Sequence, residues 1–357
     1  MIELKKLLEY QVHHGCSDLH FITGEPPLLR EKNGKIQPIA DAAVLTKEDV
    51  EKIVLKIIGE TGLKTLSKKK EIDYAMEEPG LSRFRISFYE EIRGPAIAIR
   101  AIPFEIPKPK EIGIPPTILE CALHTDGLIL ITGPNGSGKT TTLASLIDYI
   151  NENREAHIIT IEDPVEFIYH RKKSVISQRA VGIDTDSFSV AIKHAVRQDV
   201  DVIVIGEMRD LETISTAITL AETGHLVLAT LHTDDAPRTV QRIVDVFPAT
   251  QQQQIALQLS YSLLAVMSQR LLPKKDKTGR ICVREIMLMT SGIRHAIRAR
   301  KISEIYSQIQ ISRETGMQLF DDNLLEYVKK GIVSLEPALR VAHDPQQLHA
   351  NLKSTLN

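Results

Sequence analysis

Residues Gly133-Pro134-Asn135-Gly136-Ser137-Gly138-Lys139-Thr140 have the types and spacing of a phosphate-binding loop: glycine first and sixth, then Lys-Thr. Glycines let the backbone curl until successive N–H groups face inward and cradle phosphate oxygens, and a helix opening at the loop's end adds its positive terminus. In such a loop Lys139 reaches the β/γ-phosphates of a nucleoside triphosphate, ATP for instance, and the Thr140 hydroxyl is a Mg2+ ligand. An apolar run before it (Leu128–Ile131) and a helical pattern after it (Leu143, Leu146, Ile147, Ile150) supply the strand–loop–helix setting the motif requires.

Acids that could act on a bound nucleotide follow in order. Strand-like His157–Ile161 ends in Glu162-Asp163-Pro164-Val165-Glu166, and three carboxylates at a strand's end suit magnesium or its water shell. Val202–Ile205 ends in Gly206-Glu207. Many phosphate-loop proteins place a metal-holding aspartate at this strand's end. Here the acid comes one residue later, so Glu207 is free to orient or deprotonate the attacking water. His225 and His232 flank the strand Leu226–Ala229, and their spacing leaves open whether they approach the γ-phosphate or are ordinary side chains. Arg83, Arg85, Arg93 and Arg100 crowd one hairpin; the choice there is between a solvated basic face and arginines that reach nucleotide phosphate, in this subunit or a neighbour.

The elements that must hold these residues fall into two regions. Residues 1–102 mix helices with antiparallel strands: a stripe of Ile2, Leu4, Leu7, Leu8 and Val12 stopped by Gly15, a strand at Asp18–Ile22, a hairpin turning at Asn33-Gly34, a helix from Lys47 to about Ile58 capped by Thr46, and a hairpin from Arg83 to Ile102. This reads as a small α+β domain. Five prolines between residues 103 and 116 predict an extended, semi-rigid linker. From residue 117 to 357 strands and helices alternate, so the expected fold is α/β with a mainly parallel sheet, ligands at the carboxyl ends of its strands, and a C-terminal helical region. Gln251–Gln254 opens an amphipathic helix predicted to run through Leu263 and Leu264, and Met317–His349 reads as short helices.

Composition narrows the class. The 357 residues carry a net charge of −2, no tryptophan and 4% aromatics, which argues against a nucleic-acid partner. Cys16, Cys121 and Cys282 are far apart with no C-x-x-C pair, fitting a reducing, cytoplasmic setting. The charged N-terminus is neither a signal peptide nor a membrane span.

The chain resembles the secretion ATPases of type IV pili and type II secretion, and within them the pilus retraction ATPases of the PilT family. The resemblance rests on GCSDLHF near the start, the phosphate loop, ITIEDPVEF as an acidic box, VIVIGEMRDLETI as a Walker B segment, AETGHLVLATLHT as a histidine box, and FDDNLLEYVKKGIVS near the end. It implies a homo-hexamer of subunits with a PAS-like N-terminal domain and a RecA-like core, at the inner face of the cytoplasmic membrane, peripheral to it through an inner-membrane platform protein. By position, Gly133, Asn135, Gly136, Ser137, Gly138, Lys139, Thr140 and Thr141 would bind nucleotide, and Thr140, Glu162 and Glu207 would serve the metal. Glu207 becomes the catalytic glutamate and Glu162, Asp163 and Glu166 the acidic box. His225 and His232 become a pair facing the γ-phosphate, and Arg85 and Arg100 the N-terminal arginines that touch phosphate. The chain begins at the PAS-like region, lacks a four-cysteine insert, and carries IRHAIRARK at Ile293–Lys301, all features expected of retraction rather than extension. Asn135, Asp199-Val200 and Asp234-Asp235 depart from the family pattern without touching the proposed chemistry. The competing functions are an accessory or weakly hydrolysing ring that modulates a partner motor and a DNA translocase.

Overall fold

The structure, a computed structural model, describes residues 4–31, 34–40, 42–102 and 105–356. Ile2, Asn33 and Pro103, expected in a helix, a turn and the linker, lie outside the described residues. The chain divides into two compact units, Met1–Glu105 with Pro164–Ile168, and Ile106–Asp163 with Tyr169–Asn357.

The first unit has α1 (Leu4–His13), β1 (Asp18–Ile22), β2 (Leu28–Arg30), β3 (Ile36–Pro38), α2 (Lys47–Lys69), β4 (Glu71–Glu78), β5 (Ser82–Glu91) and β6 (Gly94–Ile102). Its antiparallel sheet runs β3-β2-β1-β6-β5-β4. Strict alternation along β5 buries Phe84, Ile86 and Phe88 against Leu19, Phe21, Ile97 and Ile99, with Leu4 and Leu8 of α1 and Val50, Ile53 and Val54 of α2 closing the core. Thr46 and Asp49 form a reciprocal capping box at the start of α2. The sequence predicts an end near Ile58; the helix breaks at Gly59 (φ +68°) and resumes to Lys69.

The second unit continues with α3 (Pro116–Ala122), β7 (Gly127–Thr132), α4 (Lys139–Asn153), β8 (His157–Glu162), β9 (Val175–Ala180), α5 (Phe188–Ala195), β10 (Val202–Ile205), α6 (Leu211–Glu222), β11 (Leu226–Leu231), α7 (Ala236–Asp245), α8 (Ala249–Ser262), β12 (Leu263–Pro273) and β13 (Arg280–Leu288). It ends in α9 (Ser291–Arg298), α10 (Ile302–Ile311), α11 (Phe320–Lys329), α12 (Leu335–Val341) and α13 (Pro345–Leu356). The sheet order is β13-β12-β7-β11-β10-β8-β9, parallel throughout except for the antiparallel β12–β13 pair. The central strands are buried along their whole length, as they must be with helices on both faces. The carboxyl ends of β7, β11, β10 and β8 therefore share one edge.

Two expectations change here. The segment expected as an extended, semi-rigid linker belongs, from Ile106 onward, to the second unit. Ile114 is buried in its core, Ser145 donates to the Pro107 carbonyl (2.7 Å), and Arg284 donates to the carbonyls of Ile112 (2.6 Å) and Gly113 (3.0 Å). The glutamine-rich helix ends at Ser262, and Leu263 and Leu264 instead open β12, whose residues pair with β7. Tertiary pairing with β7 overrides a helical apolar spacing that the sequence alone leaves unbroken.

Candidate functional site

The loop between β7 and α4 adopts the curl its glycines allow: Gly133, Gly136 and Gly138 take φ of +143°, +75° and +91°. A side chain at Gly133 would put its Cβ 2.2 Å from the Gln269 carbonyl oxygen, so only glycine passes there. Asn135 and Gly136 form the exposed tip, and nothing lies within 4 Å of where a Gly136 side chain would start. Ser137 is buried beneath it with an Oγ that has no hydrogen-bond partner. Thr140 and Thr141 lie in the first turn of α4.

Lys139 uses all three of its protons within the site: on the Gly133 carbonyl (2.8 Å), the Pro134 carbonyl (3.2 Å) and His232 Nδ1 (3.2 Å). Burial lowers its pKa, so its charge is held at a cost that an anion in the loop would offset. An ammonium only donates; His232 Nδ1 therefore accepts, and Nε2 carries the proton that faces Glu207 Oε1 at 2.8 Å. Glu207 is gripped from its other side by Arg209, whose Nε reaches Oε1 and whose Nη2 reaches Oε2, both at 2.7 Å. Burial pushes the Glu207 pKa up, but Arg209 and His232 together outweigh it and hold the carboxyl below its ordinary value. Lys139, His232, Glu207 and Arg209 thus form one continuous line across the ends of β7, β11 and β10.

Backbone packing fixes this line. A side chain at Gly206 would begin 3.1 Å from the Ile161 carbonyl, a tight fit that favours glycine at the end of β10. Thr230 Oγ1 donates to the Gly206 carbonyl (2.5 Å) and Met208 N donates to the Thr230 carbonyl (3.0 Å), tying the Glu207 turn to β11. Asp210, accepting from Thr213 N, caps the next helix.

Other expected residues are placed differently. His225 stands at the opposite end of β11 from His232: its carbonyl accepts from Gly127 N, where β7 begins, and its ring contacts the Leu220 carbonyl. Six strand residues separate the two histidines, about 23 Å at the rise of a strand, so within one chain they do not form a pair facing one phosphate. The carboxylates after β8 also diverge. Glu162 is buried and accepts from Thr160 (2.7 Å) and Gln178 (3.4 Å), and Asp163 is exposed. Glu166 belongs to the first unit, where it meets Arg85 at 3.5 Å and where burial raises its pKa against the pull of Arg85 and Arg100. Among the described residues no three His, Cys, Asp or Glu side chains cluster as a metal site. Arg85 and Arg100 are direct cross-strand partners, with Asp18 and Arg30 continuing the same row. Asp18 meets Arg100 at 2.8 Å and Asp73 meets Arg85 at 3.7 Å, offsetting the like-charge contact.

With this geometry described, the chain can be set beside known proteins. A family model described as type II/IV secretion system protein matches residues 3–340. The chain belongs to this family of secretion ATPases. It is 41% identical over 345 residues to the type IV pilus retraction ATPase PilT of Pseudomonas aeruginosa, covering 97% of this chain and 99% of that one. It is 37% identical over 352 residues to the type IV pilus ATPase PilU of the same organism, covering 99% and 92%. A crystal structure of the pilus retraction motor PilT with bound ADP superposes with a TM-score of 0.89 at 41% identity, covering 98% of this chain and all of that one. The secretion-ATPase motifs read from the sequence therefore sit in the fold of that family. Two site residues escaped the reading. Arg209, two positions beyond Glu207, shows itself only through the side-chain fork; Gln269 was signalled by being polar inside the apolar run LLAVMSQRLL.

Proposed function

We propose that this chain is a subunit of a hexameric motor that hydrolyses ATP to drive type IV pilus disassembly and retraction, and so twitching motility. The observation that carries the reading is the line Lys139–His232–Glu207–Arg209 at the carboxyl ends of adjacent parallel strands, beside a phosphate loop with an open tip. That arrangement supplies a cation for the terminal phosphates, a carboxylate to orient and deprotonate water, and a histidine that connects the two. The loop fits a nucleotide: Ser137 Oγ is buried and unpartnered, and Lys139 donates to the loop's own carbonyls. Phosphate oxygens would take over those donations, and with Lys139 drawn off Nδ1, His232 would be left holding Glu207 alone.

Mg2+ would be held at the same edge by Thr140 with Glu162 or Glu207, and would supply positive charge against the charge that develops on the phosphates. An ion held mostly by phosphate and water needs no cluster of three protein ligands. Arg85 and Arg100 would stabilise charge on the transferring phosphoryl group. No helix among the described residues is long and apolar enough to cross a membrane; we place the ring in the cytoplasm, where a platform protein in the inner membrane receives its motion. Deleting the gene in a piliated host should abolish twitching while surface pili accumulate. Wild-type protein should restore motility; Lys139→Ala and Glu207→Gln, expressed equally, should not. Loss of pili on deletion would assign an extension motor instead, and rescue by Glu207→Gln would assign an accessory ring.

A further inference from the structure

The phosphate loop is held from behind by a buried residue that lies outside the loop. Gln269 on β12 is 2% exposed, and its amide makes two buried bonds: Nε2 donates to the Ser137 carbonyl (2.9 Å) and Oε1 accepts from Thr142 Oγ1 (3.0 Å). The Ser137 carbonyl can only accept, so it fixes which end of the amide is which. Ser137 and Thr142 lie before and after the junction at which the loop becomes α4. Next to Gln269, Ser268 Oγ and Thr132 Oγ1 are 2.7 Å apart at the end of β7. The same Gln269 supplies the carbonyl that excludes any side chain at Gly133, and its Nε2 lies 3.3 Å from where a Gly138 side chain would begin.

A peptide unit is planar and trans, so its C=O and N–H point in opposite directions. Pulling the Ser137 carbonyl toward β12 therefore turns the Gly138 N–H away from β12. We propose that Gln269 is a positioning residue for nucleotide phosphate: it sets the Ser137–Gly138 peptide plane, and with it the donor that Gly138 offers to the β-phosphate of a nucleoside di- or triphosphate. This rests on the nucleotide-binding reading above and extends it to a residue outside the loop. The bond preorganises ground state and transition state alike, so its loss should appear in affinity rather than in turnover at saturation.

Direct binding of ADP to the full-length protein tests this without depending on hydrolysis. Gln269→Leu, one atom shorter, removes both the donor and the acceptor of the amide, and should weaken ADP binding by about tenfold, the size set by stranding the buried Ser137 acceptor. KM for ATP should rise by a similar factor with kcat retained. Gln269→Glu, which keeps the acceptor for Thr142 but turns a carboxylate on the Ser137 carbonyl, should lose affinity at least as severely and serves if the leucine variant does not fold. Thr142→Val should lose less, and Thr142→Ser should recover the loss. Tight ADP binding by a folded Gln269→Leu or Gln269→Glu protein would overturn the proposal. A wild-type protein that binds no ADP would overturn the nucleotide reading itself.

Discussion

Glu207 is held on both sides. Arg209 forks onto both of its oxygens, and His232 donates to one of them from a ring oriented by Lys139. A base so engaged stays ionised, and its readiness depends on which of these partners the substrate draws away. Removing His232 cuts the link between Lys139 and the base, whereas His225 lies at the far end of the strand. His232→Ala should therefore slow ATP turnover far more than His225→Ala, with ADP affinity little changed in either; equal losses would return His225 to the site. Arg209→Lys should restore only part of the turnover lost in Arg209→Ala, because a point charge cannot reproduce the fork. At this scale the sequence made Lys139, Thr140 and Glu207 legible through motif spacing. The sequence also held what separates His225 from His232, because in a parallel sheet only the histidine that follows the strand lies at its carboxyl end, although the family resemblance pairs the two. It could not reveal that Glu162, Asp163 and Glu166, close in sequence, take three different environments.

Among the elements, β12 and β13 do the most that the sequence hid. Strand β12 backs the phosphate loop, and β13 carries Glu285, whose Oε1 accepts from Ala236 N (2.7 Å) at the start of α7 and whose Oε2 accepts from Phe320 N (3.4 Å) at the start of α11. One buried carboxylate thus ties the helix that follows the His232 loop to the C-terminal helices. Burial, with Asp235 and Asp321 nearby, pushes its pKa from 4.5 up to about 7. A folded-state pKa above the unfolded one makes Glu285 most favourable to folding below about 4.5, and that contribution is lost as pH rises through about 7. Denaturant midpoints should accordingly fall between pH 5 and pH 8 in the wild type by more than in Glu285→Gln. The difference should be roughly 3 kcal/mol at most. Identical pH slopes would show that Glu285 does not titrate in this range. The phosphate-loop strand and helix and the Arg83–Ile102 hairpin were readable because local pattern and turn chemistry agreed. Strand β12 was not, because Leu259, Leu263 and Leu264 continue a helical period and only pairing with β7 ends it.

At the scale of the whole molecule, the chain joins an antiparallel α+β unit carrying a row of arginines to a parallel-sheet unit carrying the phosphate loop and the base. Their roles are separable by kinetics. If Arg85 acts on the transferring phosphoryl group, Arg85→Ala should reduce kcat by a factor approaching 10³ while ADP affinity shifts little; equal losses in both would make it a binding residue only. In the proposed ring motor, hydrolysis depends on Glu207. The measurement that tests this most directly is ATP turnover per subunit as a function of protein concentration, with wild type and Glu207→Gln side by side. The rate should climb steeply as subunits assemble, and the Glu207→Gln protein should bind nucleotide but turn over about 10²–10⁴ times more slowly. A rate per subunit independent of concentration, or wild-type turnover by Glu207→Gln, would contradict this reading.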